Sequence, residues 1–184
     1  MKLFPTRILF LDFDGVLRLI PSLLDDPRLI IPAPEFDKGR MALLSMWCVM
    51  NDVYIVVTSD LRMINETEGT DNQEEVWGWL SPTIHPNRIH VDWCIPIRGH
   101  RWQEVQRWLE DHPEVTDYAI LEDSQVHFED APEEMKKRIS WCNNRHGLSP
   151  NNIIEMDKIF GFKSVLDPNM YKARDNPALG DAGY

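Results

Sequence analysis

A chain of 184 residues with a formal net charge of −11 has the length of one domain with a sizeable core. Its acidity argues against broad electrostatic binding to nucleic acid or an anionic membrane, although a local basic groove stays open. No apolar run approaches the roughly 20 residues of a membrane span. The three scattered cysteines, Cys48, Cys94 and Cys142, form no Cys-x-x-Cys pair and read as reduced core residues.

Met1-Lys2-Leu3-Phe4-Pro5 carries no apolar signal core and leads straight into a strand over about Arg7 to Asp12, so a cytoplasmic protein is expected. Val16 to Ile20 and Arg28 to Ile31 are β-prone around the turn Asp25-Asp26-Pro27 and predict a small hairpin. Asp37 is placed to cap a helix running to about Met50, with Met41, Leu44, Ser45, Cys48 and Val49 along its inner face. Val53 to Val57 is a second buried strand, ending in Thr58-Ser59-Asp60. Asn65 to Asn72 reads as a loop, and Asp71 can cap a helix to Leu80.

Arg88 to Val91 predicts a third strand, and a helix begins at Gly99 with Trp102, Val105, Trp108 and Leu109 at helical spacing. His112-Pro113 ends it. Asp117 to Leu121 is the fourth strand, ending in Glu122-Asp123; Glu133 to Lys137 is a helical turn and Arg138 to Cys142 a fifth strand. Ser149-Pro150 starts a helix to about Phe160. The expected organisation is one domain over 1–166 and a loosely held tail over 167–184.

Strands alternating with helices predict an α/β, Rossmann-like three-layer fold with a mainly parallel sheet of about five strands. In such sheets ligands bind beyond the carboxyl ends of the strands. There the chain presents Asp12 and Asp14, then Thr58 and Ser59, then Glu122 and Asp123. Two carboxylates that close repel each other unless a cation or a shared proton offsets the repulsion, and Mg²⁺ prefers oxygen ligands. Gly15 lets the backbone turn sharply after them. A basic group from the helix start at Gly99 to Arg101 can join the set. Acids for a cation and hydroxyls for an anion suit phosphoryl transfer through an aspartyl-phosphate, one carboxylate attacking phosphorus and another moving the proton.

These residues carry a resemblance. Asp12-Phe13-Asp14-Gly15-Val16-Leu17, then Thr58 after Ile55-Val56-Val57, then Glu122-Asp123 after Ala119-Ile120-Leu121 resemble the first, second and fourth motifs of the haloacid dehalogenase (HAD) superfamily of phosphatases. Thr58-Ser59-Asp60-Leu61-Arg62, Arg101-Trp102-Gln103-Glu104-Val105 with Trp108-Leu109, and Gly147-Leu148-Ser149 are similar to stretches of a small capless subgroup that includes the HAD domains of RNA-repair proteins. The resemblance implies Asp12 as nucleophile and Mg²⁺ ligand, and Asp14 as general acid/base that also binds Mg²⁺ through its carbonyl. Thr58, Ser59 and Arg101 would bind phosphate, with Arg98 as the other choice of cation. Glu122 and Asp123 would complete the metal site. Glu122 stands where the family has Asp, and Asp60 and Leu61 stand where the subgroup has Ser and Trp.

The family selects substrates with cap domains, and neither gap between motifs has room for a substantial one, so an open site is expected. The resemblance then implies a Mg²⁺-dependent phosphomonoesterase whose partner is a phosphomonoester, including a nucleic acid end or a nucleotide. The alternatives are a phosphatase of a small metabolite, phosphotransfer to a sugar or alcohol, and a HAD-like binding or regulatory module without turnover.

Overall fold

The apolar runs form strands because both their faces are covered. The computed structural model describes residues 6–19, 36–63, 73–164 and 166. Among them β1 (Thr6–Leu11), β2 (Val53–Val57), β3 (Ile89–Cys94), β4 (Val115–Glu122) and β5 (Ile139–Trp141) make one sheet in the order β3-β2-β1-β4-β5, every pair parallel. Alternate residues of a strand point to opposite faces, and two cores follow from that. Leu9, Leu11, Ile55, Val57 and Leu121 pack with α1 (Lys38–Asn51), α2 (Gln73–Leu80) and α5 (Pro150–Phe160) through Leu44, Leu80 and Met156. Ile8, Phe10, Val56 and Ile120 pack with α3 (Arg101–Asp111) and α4 (Glu133–Lys136) through Val105, Trp108 and Met135. Each such side chain, fully buried, contributes about 1.5–3 kcal/mol.

The chain belongs to the Rossmann-like α/β class that the alternation predicts. The helix ends follow local chemistry. Asp37 accepts from the N–H of Arg40 at 2.8 Å to open α1, and the backbone N–H of Ser149 donates to Asn152 Oδ1 at 3.0 Å ahead of Pro150 to open α5. The side-chain amide of Asn152 then donates to Ser140 Oγ and to the Trp141 carbonyl, which ties α5 to β5.

Some expectations need correction. Val49 of α1 is 46% exposed, whereas Trp47 is 4% exposed; the indole N–H of Trp47 donates to the buried carboxylate of Asp157 on α5 at 2.7 Å, which turns the helix toward α5. Val16 and Leu17 form a turn rather than a strand, with the N–H groups of Val16, Leu17 and Arg18 all donating to the Phe13 carbonyl. β3 and β4 run longer than their apolar cores. β3 pairs only with β2, and Asp92 on it is exposed, so its outer half carries polar residues that mask the strand pattern. The rest of the expected hairpin, the loop over 65–72 and the tail over 167–184 lie outside the described residues.

Candidate active site

Three adjacent strands end at one place. The N–H of Asp12, just past β1, donates to the Leu121 carbonyl of β4 at 3.1 Å, and the N–H of Thr58, just past β2, donates to the Leu11 carbonyl at 2.9 Å. The sheet ladder thus holds Asp12 and Thr58 beyond its last paired residues. Phe13 is fully buried and packs edge-on against Phe36, ring centroids 5.3 Å apart, so it anchors the loop between the two aspartates. Gly15 follows at φ +68°, where a Cβ would stand 2.1 Å from Asp123 Oδ2. Only glycine fits both that backbone and that neighbour. The loop is braced from behind by Leu148, whose N–H donates to the Val16 carbonyl at 2.8 Å, and by Gly147, whose Cβ would lie 2.5 Å from that same oxygen.

Asp12 is buried, and burial pushes its carboxyl up from the ordinary range. The charge of Arg101 and hydrogen bonds from the Phe13 N–H and the Ser59 hydroxyl oppose that push. Arg101, the first residue of α3, has its Nη1 3.1 Å from Asp12 Oδ1 and 2.7 Å from Glu122 Oε2, and its Nη2 2.5 Å from Asp60 Oδ1. Arg101 is therefore the cation that reaches Asp12. Arg98 is exposed, its N–H donating to Glu104 Oε1 at 2.6 Å and its carbonyl accepting from Arg107.

Glu122 is completely buried, and its Oε1 also accepts from the N–H groups of Asp123 and Ser124 at 3.2 and 3.1 Å. Burial, then the charge of Asp12, pushes its carboxyl up to about 8, and the same two causes push Asp123 up to about 6. Asp12, Glu122 and Asp123 each offer an oxygen within 4.8 Å of the others. Three hard oxygen donors crowded this closely fit a divalent cation such as Mg²⁺.

Asp14 is not one of these three, and its carboxylate lies 2.5 Å from Arg18. Thr58 is fully buried and its Oγ1 has no hydrogen-bond partner among the described residues. A buried hydroxyl left so costs free energy unless a ligand or water meets it, which fits a group waiting for an anionic oxygen. The hydroxyl of Ser59 is engaged instead by the Asp12 carboxylate. Sequence reasoning missed Arg18, because its segment reads as a strand. It also missed the role of Asp60, although Asp60 directly follows Thr58-Ser59.

The fold is that of a HAD domain. The family model described as "HAD domain in Swiss Army Knife RNA repair proteins" matches residues 8–153, and the chain belongs to the HAD superfamily. No curated protein and no solved structure matches the chain. Membership carries a HAD-type, phosphatase-like function in general, in a family that is typically metal-dependent. Among the described residues no helix is long and apolar enough to cross a membrane.

Proposed function

We propose that the chain is a Mg²⁺-dependent phosphomonoesterase working through an aspartyl-phosphate on Asp12. The observation that carries the reading is the convergence of Asp12, Thr58, Arg101 and Asp123 at the carboxyl ends of β1, β2 and β4. Phosphoryl transfer is largely a matter of positioning and charge stabilisation. An Asp12 oxygen attacks phosphorus as the ester oxygen leaves, and Asp14 donates a proton to that oxygen. Asp14 then takes a proton from water, which attacks phosphorus, frees Asp12 and releases inorganic phosphate. Thr58 donates to a phosphoryl oxygen, and Arg101 carries positive charge beside the oxygens where negative charge spreads. Asp12, Asp123 and Glu122, with the Asp14 carbonyl, would hold Mg²⁺, which when bound supplies the positive charge that lets carboxylate and phosphate meet. The proposal assigns this chemistry to one unit over 1–166, with 167–184 outside it.

A family described from RNA-repair proteins supports nucleic acid ends or nucleotides as substrates, and a capless, open site would admit them. The test is phosphate release from p-nitrophenyl phosphate and from 3′- and 5′-phosphorylated oligonucleotides, with Mg²⁺ or EDTA. The expected result is Mg²⁺-dependent release that is lost in Asp12→Asn.

One observation favours a second reading, a binding module without turnover. Arg101 is already shared among three carboxylates. That reading predicts phosphoester binding with no phosphate release under any metal condition.

A further inference from the structure

A cavity of about 380 Å³ opens beside the site, and Asp60 and Arg101 belong to its lining. Arg101 touches Asp12, so the cavity adjoins the place where a substrate's phosphoryl group would meet Asp12. We propose that the cavity is a nucleobase pocket with guanine as its best-fitting base. The proposal rests on the phosphomonoesterase reading and narrows its substrate to a guanine nucleotide, free or at the end of a nucleic acid.

The walls argue for a flat, neutral, hydrogen-donating group. Trp102 and His127 supply aromatic surfaces, and Val126, 76% exposed, supplies an apolar one. Stacking on aromatic side chains is how proteins hold single bases. Burial, then the charge of Arg101, lowers the tendency of His127 to protonate. Glu129 and Asp130 also line the cavity, both exposed and neither in an ion pair among the described residues. Their negative charge repels a second phosphate, which limits the pocket to one terminal nucleoside and agrees with the acidity of the chain. Carboxylates accept hydrogen bonds and take paired donors bidentately. Guanine offers such a pair in N1–H and N2–H. Trp102 serves the pocket through its ring, since its indole N–H is buried away from solvent. A cavity of this size lies at the lower end of the roughly 300–1,000 Å³ usual for small-molecule sites.

The experiment compares hydrolysis of 5′- and 3′-GMP, the corresponding uridine monophosphates and ribose 5-phosphate, together with phosphorylated oligonucleotides ending in G or U. Wild type, Trp102→Phe, Trp102→Leu and the double variant Glu129→Gln/Asp130→Asn are used. Calorimetric titration of GMP and ribose 5-phosphate into the same proteins runs in parallel. The expected result is a kcat/KM for GMP above that for UMP and ribose 5-phosphate by roughly 5- to 150-fold, the span of one bidentate base contact. That ratio falls toward one in Trp102→Leu and in the double variant, and is kept in Trp102→Phe. Mononucleotide and oligonucleotide rates distinguish a free nucleotide from a nucleic acid end. Equal rates for GMP and ribose 5-phosphate in wild type, or a preference untouched by both disruptive variants, would overturn the pocket. If nothing is hydrolysed but GMP binds more tightly than ribose 5-phosphate, the phosphatase reading fails and the pocket stands. If the two bind alike, both fail.

Discussion

Asp60 Oδ1 lies 2.5 Å from Arg101 Nη2, with the aspartate side chain 59% exposed and the arginine side chain 3% exposed. A largely exposed carboxylate thus pairs with Nη2 of a buried cation. Any phosphoryl oxygen that comes to Nη2 must displace it. An ion pair with one partner so exposed is screened and contributes about 0.2–1 kcal/mol. Asp60→Asn is therefore expected to lower the inhibition constant of inorganic phosphate by about 1.4- to fivefold. An unchanged or raised constant in both Asp60→Asn and Asp60→Ser would show that Asp60 does not compete for the arginine.

Thr58→Val separates binding from stability. The Thr58 hydroxyl has no partner among the described residues to lose, and an apolar group of the same shape at such a point is neutral or stabilising. The variant is expected to unfold at or above the wild-type urea midpoint. Its kcat/KM falls by roughly 10²–10³, the usual effect of removing one donor to the transition state. Loss of stability without loss of activity would mean that the hydroxyl is a structural group.

Among the described residues, Arg101 is the cation that pairs with both Asp12 and Glu122. Arg101→Met leaves both acids buried without it and is expected to cost about 3–5 kcal/mol in urea unfolding, as for other broken buried pairs. Arg101→Met combined with Glu122→Gln should recover more than about 1 kcal/mol of that loss, because contacting charged residues are not additive. Strict additivity in this cycle would contradict the pairing.

The stability of the metal-free protein should fall as pH rises. Asp123 is pushed up to about 6 and Glu122 to about 8, above their ordinary values of 3.8 and 4.5. An acid raised in the folded state binds protons better there than in the unfolded chain. Its stabilisation is complete below the unfolded value and is lost as pH climbs through the folded one. In EDTA the melting temperature is expected to drop between pH 5 and pH 8.5, by less in Glu122→Gln. Mg²⁺ should restore it most at the alkaline end. A melting temperature that rises over that window in EDTA would refute the crowding of these carboxylates.

Much of this was written in local patterns. The parallel sheet was legible because strands buried on both faces read as unbroken apolar runs, and β2 has the bounds its run predicts. Asp12, Thr58 and Asp123 were legible because a parallel sheet gathers its strand ends. The grip of Asp60 on Arg101 was not, since it joins residues 41 apart in sequence and depends on how α3 docks. Arg18 was hidden for a different reason. Its β-prone neighbours suggested a strand, yet three N–H groups converging on the Phe13 carbonyl close a turn that brings Arg18 back to Asp14. Trp47 was missed because it is buried against Phe160, Phe162 and the Asp157 carboxylate, partners far along the chain that the stripe of α1 does not encode.

The most direct test of the central claim is to trap the covalent intermediate. The protein is mixed with a phosphomonoester and Mg²⁺, quenched in acid and reduced with borohydride, and its peptides are then read by mass spectrometry. An acyl phosphate on Asp12 predicts homoserine at that residue, dependent on substrate and absent when Mg²⁺ is replaced by EDTA. Phosphate release with Asp12 unmodified, or with the label on Asp14 or Asp123, would contradict the assignment of Asp12 as nucleophile.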